Sequence, residues 1–113
     1  MQLGVADRVT AFTLSDFARN LQPASVGGTD HAWGNQHFII GGAVKGGNFY
    51  GQFPTLTLNG PNDVSNEGRW LPTTSVDQYA STLAQWFGVL AGDLATVFPN
   101  LSRFGTNNLG FMN

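Results

Sequence analysis

The chain contains no cysteine. Disulfides, thiolate metal sites and cysteine nucleophiles are therefore excluded, while the redox compartment stays open. Charge is also scarce, at 11% of residues, against roughly 25% in an ordinary soluble domain. Positive charge is limited to one lysine, Lys45, and four scattered arginines, Arg8, Arg19, Arg69 and Arg103, and the formal net charge is -2. No basic stripe exists for neutralising phosphates, so no nucleic-acid partner is expected. No apolar run approaches the roughly 20 residues that span a bilayer, so no membrane partner is expected. The N-terminus lacks the basic-then-apolar pattern of a signal peptide, and the chain reads as soluble and untargeted. Neither GxxxxGK[ST] nor GxGxxG occurs, which excludes the common phosphate-binding loops.

Hydrophobic residues make up 42% of the 113 positions. That suffices for one small core, and a single domain over residues 1–113 is expected. So little charge leaves a surface poorly suited to water. The chain should hide surface against a partner, a second copy of itself, or a missing part of a larger protein.

"DRVTAFTL" reads as a strand with apolar or small residues on both faces, the signature of a buried strand in a parallel sheet. It ends at Ser15-Asp16, where either residue could cap a turn. "HFIIGGAV", from His37 to Val44, is a second strand, "NFYGQF" a third extended segment and "TLTL" a short fourth. "TSVDQYASTLAQWFGV" is the clearest helix. Ser75 and Gln78 make a capping-box pattern, Val76, Tyr79, Leu83, Trp86 and Phe87 form an apolar stripe, and Gly88 is a C-terminal stop. "GDLATVFPNL" gives a short second helix ended by Pro99. The predicted class is α/β: a small, partly parallel sheet of three to five strands with two helices.

The chemistry concentrates in "GGTDHAWGNQH", which holds both histidines of the chain, His31 and His37, beside Asp30. Asp and neutral His suit divalent ions. On a regular strand Asp30 and His31 would point to opposite faces, but a glycine-flanked loop lifts that limit. His37 opens the next strand, and Asp16 could add a ligand from the end of the first. Such a set would activate a water. The same pattern also arises when a carboxylate merely orients a ring in a turn. In the connection that follows, Asn62, Asp63 and Asn66 read as turn chemistry more readily than as a calcium loop. No G-x-S-x-G elbow presents a serine nucleophile.

The runs "VTAFTLSDFARNL", "GGTDHAWGNQHFIIGGAVKGGNFYGQFPTL", "PTTSVDQYASTLAQWFGV" and "LATVFPNLSRF" occur in order. Together they resemble the C-terminal part of the bacterial family called domain of unknown function 1501. Ala18 stands where that family usually has Gly, and Asn20 where it often has Thr. The resemblance implies membership of the alkaline-phosphatase-like superfamily, with a doubly wound α/β fold, a divalent-metal site at the carboxyl ends of strands, and phosphoryl or sulfuryl transfer. Family members are often exported to the bacterial periplasm by a twin-arginine signal. The nucleophile region and that signal are expected upstream, so the chain looks like a C-terminal fragment or a naturally short version.

Carried onto this sequence, the resemblance places Asp16 where the superfamily often has a metal-binding Asp, although Phe17 replaces the usual following His. Asp30 and His31 resemble later ligands, His37 is a further candidate, and Arg19 is suited to an anionic substrate. The expectation is a metal-dependent hydrolase of small phosphate, sulfate or related esters. Asp16, Asp30, His31 and His37 would be ligands, and Asp30, His31 and Arg19 the catalytic group. Zinc is the preferred ion, with manganese or calcium as alternatives, and a homodimer or higher oligomer would complete the sheet. The alternative is a non-catalytic, self-associating structural domain with a relic Asp-His cluster. A third idea is a carbohydrate- or surface-binding module using Trp33, Trp70 and Tyr50.

Overall fold

The computed structural model describes residues 3–113. Strands β1 (Thr10–Phe12), β2 (Ala18–Arg19), β3 (His31–Ala32) and β4 (Ile39–Gly41) precede helices α1 (Val76–Phe87) and α2 (Leu94–Val97). Short 3-10 turns lie at Ala6–Arg8, Ala91–Asp93 and Leu101–Arg103. The chain is α/β in class. Its strands form two two-stranded sheets, β1 with β4 and β2 with β3, both antiparallel. The expected parallel pairing is thus corrected. A parallel pair needs a long crossover between its strands. Here β2 and β3 meet across a loop of 11 residues, 20–30, with no helix in it. The "NFYGQF" and "TLTL" segments form no strand.

The chain divides into two compact units. The first holds the residues up to Phe12, Ile39–Gly51 and Thr74–Asn113. Its core is Ala43, Tyr79, Leu83, Phe111 and Met112, with Ile39, Val44, Trp86 and Leu109 packed around it. Helix α1 forms as its sequence dictates. Ser75 accepts the Gln78 amide through its hydroxyl, Gln78 returns a bond to the Ser75 amide, and Gly88 takes the left-handed conformation at φ 116°. Tyr79 and Leu83 from the apolar stripe are buried, whereas Val76 and Phe87 lie in solvent.

The opposite, polar side of α1 is buried as well. Ser81 and Thr82 are 0% and 1% exposed. The segment 106–109 lies against them and supplies partners. Gln78 donates to the Thr106 carbonyl at 3.0 Å, Ser81 to Asn107 at 2.7 Å, and Gln85 to Asn107 at 2.8 Å. These bonds remove the penalty of burying hydroxyls and amides. They also aim Phe111 into the core, where it is 1% exposed. An isolated bridge between Val44 and Met112, with the Lys45 amide bonded to the Phe111 carbonyl at 2.9 Å, fastens the other edge.

The second unit comprises Thr13–Phe38 and Gln52–Thr73. Ala18 and Ala32 face each other across β2–β3 and are both buried. Their small side chains allow close packing at that point. Asn20 is buried and folds the loop back, accepting the Asp30 amide on Oδ1 at 2.8 Å while its own amide bonds the Asp30 carbonyl at 3.1 Å.

Asp63 organises the rest of this unit. Its two carboxylate oxygens accept the amides of Asn59, Ser65, Gly68 and Arg69 at 3.1–3.2 Å. Burial acts to raise the Asp63 pKa, but the four amide donors outweigh it and hold the carboxyl below its ordinary value. The turn reading of "NGPNDVSNEG" is what the structure shows. Gly68 sits at φ +78°, and a Cβ there would come within 2.4 Å of Leu21 Cβ. Only glycine lets this segment lie so close to Leu21.

Candidate functional site

Five residues singled out in the sequence, Asp16, Arg19, Asp30, His31 and His37, all fall in the second unit. Arg19 and His31 are opposed in the β2–β3 ladder. Directly opposed residues of an antiparallel pair project to the same face, so the guanidinium and the imidazole are neighbours. Phe17 serves both. Its ring lies 4.2 Å from the His31 ring, tilted by 30°, and the Arg19 Cζ stands 5.2 Å from its centroid. Phe17 is therefore an aromatic platform for the other two side chains.

Arg69 joins them from the far edge of β3. Its Nε donates to the His31 carbonyl at 3.2 Å. The sequence gives no local sign of this. Arg69 reaches His31 across 38 positions because the Asp63-centred turn and Gly68 deliver it there. The only prior hint is its rarity as one of four arginines in a charge-poor chain.

The remaining candidates lie elsewhere in the same unit. Asp30 is exposed and precedes β3, with its backbone pinned by Asn20. Asp16 is exposed in the turn after β1, and the neighbouring Ser15 hydroxyl donates to the Phe17 carbonyl at 2.8 Å, closing that turn. His37 is half-buried. Its Nδ1 lies 3.3 Å from the Thr13 hydroxyl, which accepts the Phe38 amide at 2.9 Å.

Among the described residues no group of three or more His, Asp or Glu side chains is placed to hold a metal ion. Asp16, Asp30, His31 and His37 of one chain therefore do not fit the expected divalent ion as a shared ligand set. Three donors are the usual minimum for a catalytic metal centre. Trp70 is buried and Tyr50 is turned onto Phe111, with its hydroxyl donated to the Lys45 carbonyl at 2.7 Å. Both are packing residues in their own units. An open cleft of about 430 Å³ in the first unit, between Ala91 and Asn107, has no titratable residue in its lining and offers no acid–base chemistry. Among the described residues no helix is long and apolar enough to cross a membrane.

His31 is thus exposed, with the Arg19 side chain opposite it in the ladder, the Phe17 ring against its imidazole and the Arg69 Nε on its backbone carbonyl. No curated protein and no solved structure matches the chain. The model of the family described as "Protein of unknown function (DUF1501)" matches residues 1–89, and the chain belongs to that family.

Proposed function

We propose that the chain is a self-associating structural domain, working as a homodimer or higher oligomer and performing no catalysis as a single copy. The observation that carries this reading is the apolar surface. In the first unit Ile40 is 73%, Phe49 93% and Phe87 85% exposed, and in the second Val26 is 95% and Phe38 72% exposed. With charge at 11% of residues, little else keeps these faces apart in water. The test is mass in solution by light scattering across a hundredfold dilution. A defined oligomer that dissociates on dilution supports the reading, and a monomer at every concentration overturns it.

A second reading is favoured by the Arg19–His31 cross-strand pair, with Asp30 next to it in sequence. It makes the domain part of a hydrolase of small phosphate, sulfate or related esters of the alkaline-phosphatase-like superfamily. Asp30 and His31 would hold a zinc ion, with manganese or calcium as alternatives, and a metal supplies a Lewis acid that activates water. One chain offers too few donors, so the remaining ligands would have to come from another copy. Elemental analysis of untagged oligomer decides between the readings. Metal that is bound stoichiometrically and lost in both Asp30→Ala and His31→Ala favours the hydrolase, and metal-free protein rejects it.

A further inference from the structure

We propose that the outer edge of β1 pairs antiparallel with β1 of a second copy of this chain, about a two-fold axis at Ala11. The proposal rests on the self-association reading and names the surface through which association occurs.

The direction of the free groups follows from the ladder. Thr10 stands against Gly41, Ala11 against Ile40 and Phe12 against Ile39. One residue further on, the Thr13 amide donates to the Phe38 carbonyl at 3.0 Å. Hydrogen-bonded pairs alternate along an antiparallel ladder. Ala11 therefore bonds Ile40, and the amides and carbonyls of Thr10 and Phe12 point away from β4. Among the described residues none of these outward groups has a hydrogen bond. The other strand edges offer less. The Gly41 carbonyl on β4 accepts the Val44 amide at 3.1 Å, and the His31 carbonyl on β3 accepts the Arg69 Nε at 3.2 Å. Strand β2 is only 2 residues long.

The β1 edge is also unguarded. Edge strands are commonly kept apart by charges or proline, and the sequence from Val9 to Leu14 has neither. Val9 is 59% and Phe12 51% exposed, and Ala11 between them is exposed too. Both β1 and β4 lie within the first unit.

A second copy is the partner whose geometry fits. Two β1 edges related by a two-fold axis carry the same donors and acceptors in opposite order. Thr10 of each copy then faces Phe12 of the other, and each such pair exchanges both its bonds. Ala11 faces Ala11 of the second copy as a non-hydrogen-bonded pair, where Cα atoms approach to about 4.5 Å and methyl side chains leave room. The two Phe12 rings become diagonal neighbours, within reach of each other.

The absence of cysteine permits a direct test. Ala11→Cys and Val9→Cys are made separately, oxidised in air at a concentration where light scattering shows an oligomer, and run on non-reducing gels. Ala11→Cys is expected to cross-link into dimers, because a Cα separation of about 4.5 Å suits a disulfide. Val9→Cys is expected not to, since this register sets the two Val9 positions about 13 Å apart along the strands. In a second arm, Ala11→Lys and Ala11→Glu each bring like charges together at the axis. Each should weaken association by about tenfold or more, and an equal mixture of the two should recover it. Near-UV circular dichroism matching the parent establishes that these variants are folded. If either charged variant does not fold, the two cysteine variants carry the test alone.

Equal cross-linking of the two cysteine variants, or none in either, overturns the proposal. So does an oligomer that both charged variants leave unchanged. These results leave self-association standing on another surface, whereas a monomer at every concentration removes both readings.

Discussion

Thr82 and Leu109 are joined through the only side-chain oxygen that Thr82 has. The hydroxyl accepts the Leu109 amide at 2.8 Å and donates to the Gln78 carbonyl at 2.9 Å. Thr82→Val keeps the shape but leaves the Leu109 amide without its partner. The expected cost is about 1–3 kcal/mol, read as a lower urea midpoint with an unchanged slope. An unchanged midpoint would mean that water reaches this amide.

Asp63 links stability to acid. Its folded pKa lies below the ordinary value, so its contribution is present above the unfolded pKa of about 4. That contribution is lost as pH falls through the folded value. Asp63→Ala should therefore be less stable than the parent at neutral pH, and the gap should close on acidification below about pH 4. Thermal midpoints of both proteins from pH 7 downward check this. A gap independent of pH contradicts it.

Gly68→Ala should perturb both stability and the Arg69 contact with the His31 carbonyl. The left-handed φ alone costs a non-glycine residue about 1–3 kcal/mol, and the approach to Leu21 adds a clash with the new Cβ. Arg69 follows directly, so its Nε signal should move even in folded protein. An Arg69 signal identical to the parent's would show that the turn does not set the Arg69–His31 bond.

Phe17→Leu removes the ring shared by Arg19 and His31. The expected stability change is small, within about 1 kcal/mol, because exposed cation–π contacts contribute little. The readout is spectroscopic: the His31 ring protons should lose their ring-current shift. If they do not, the stacking seen here is not the dominant conformer in solution.

The legible parts of this fold are those encoded within a few residues. Helix α1 was readable end to end because Ser75, Gln78 and Gly88 state its limits locally. The strands were readable as places but not as partners. β1 and β4 lie where "VTAFTL" and "HFIIGGAV" suggested, though shorter, with β4 starting at Ile39 rather than His37. The expected burial of both faces did not hold, since Ala11 and Phe12 are exposed. Pairing direction depends on what the loops do, and composition does not encode it. The burial of Ser81 and Thr82 is likewise not encoded locally, because segment 106–109 is what bonds them. At the site, the Arg19–His31 neighbourhood was partly legible from the resemblance. Arg69 was not, because its position is fixed by Asp63 and Gly68, and Asp63 in turn is fixed by amides between Asn59 and Arg69.

The seating of Phe111 between Tyr79 and Tyr50 has a consequence for biosynthesis. Ala43, Tyr79 and Leu83 leave the ribosome well before the residue that closes over them. The first unit must wait as an unsealed half until positions 111 and 112 have been translated, so it is during that interval that nascent chains are most open to capture by chaperones.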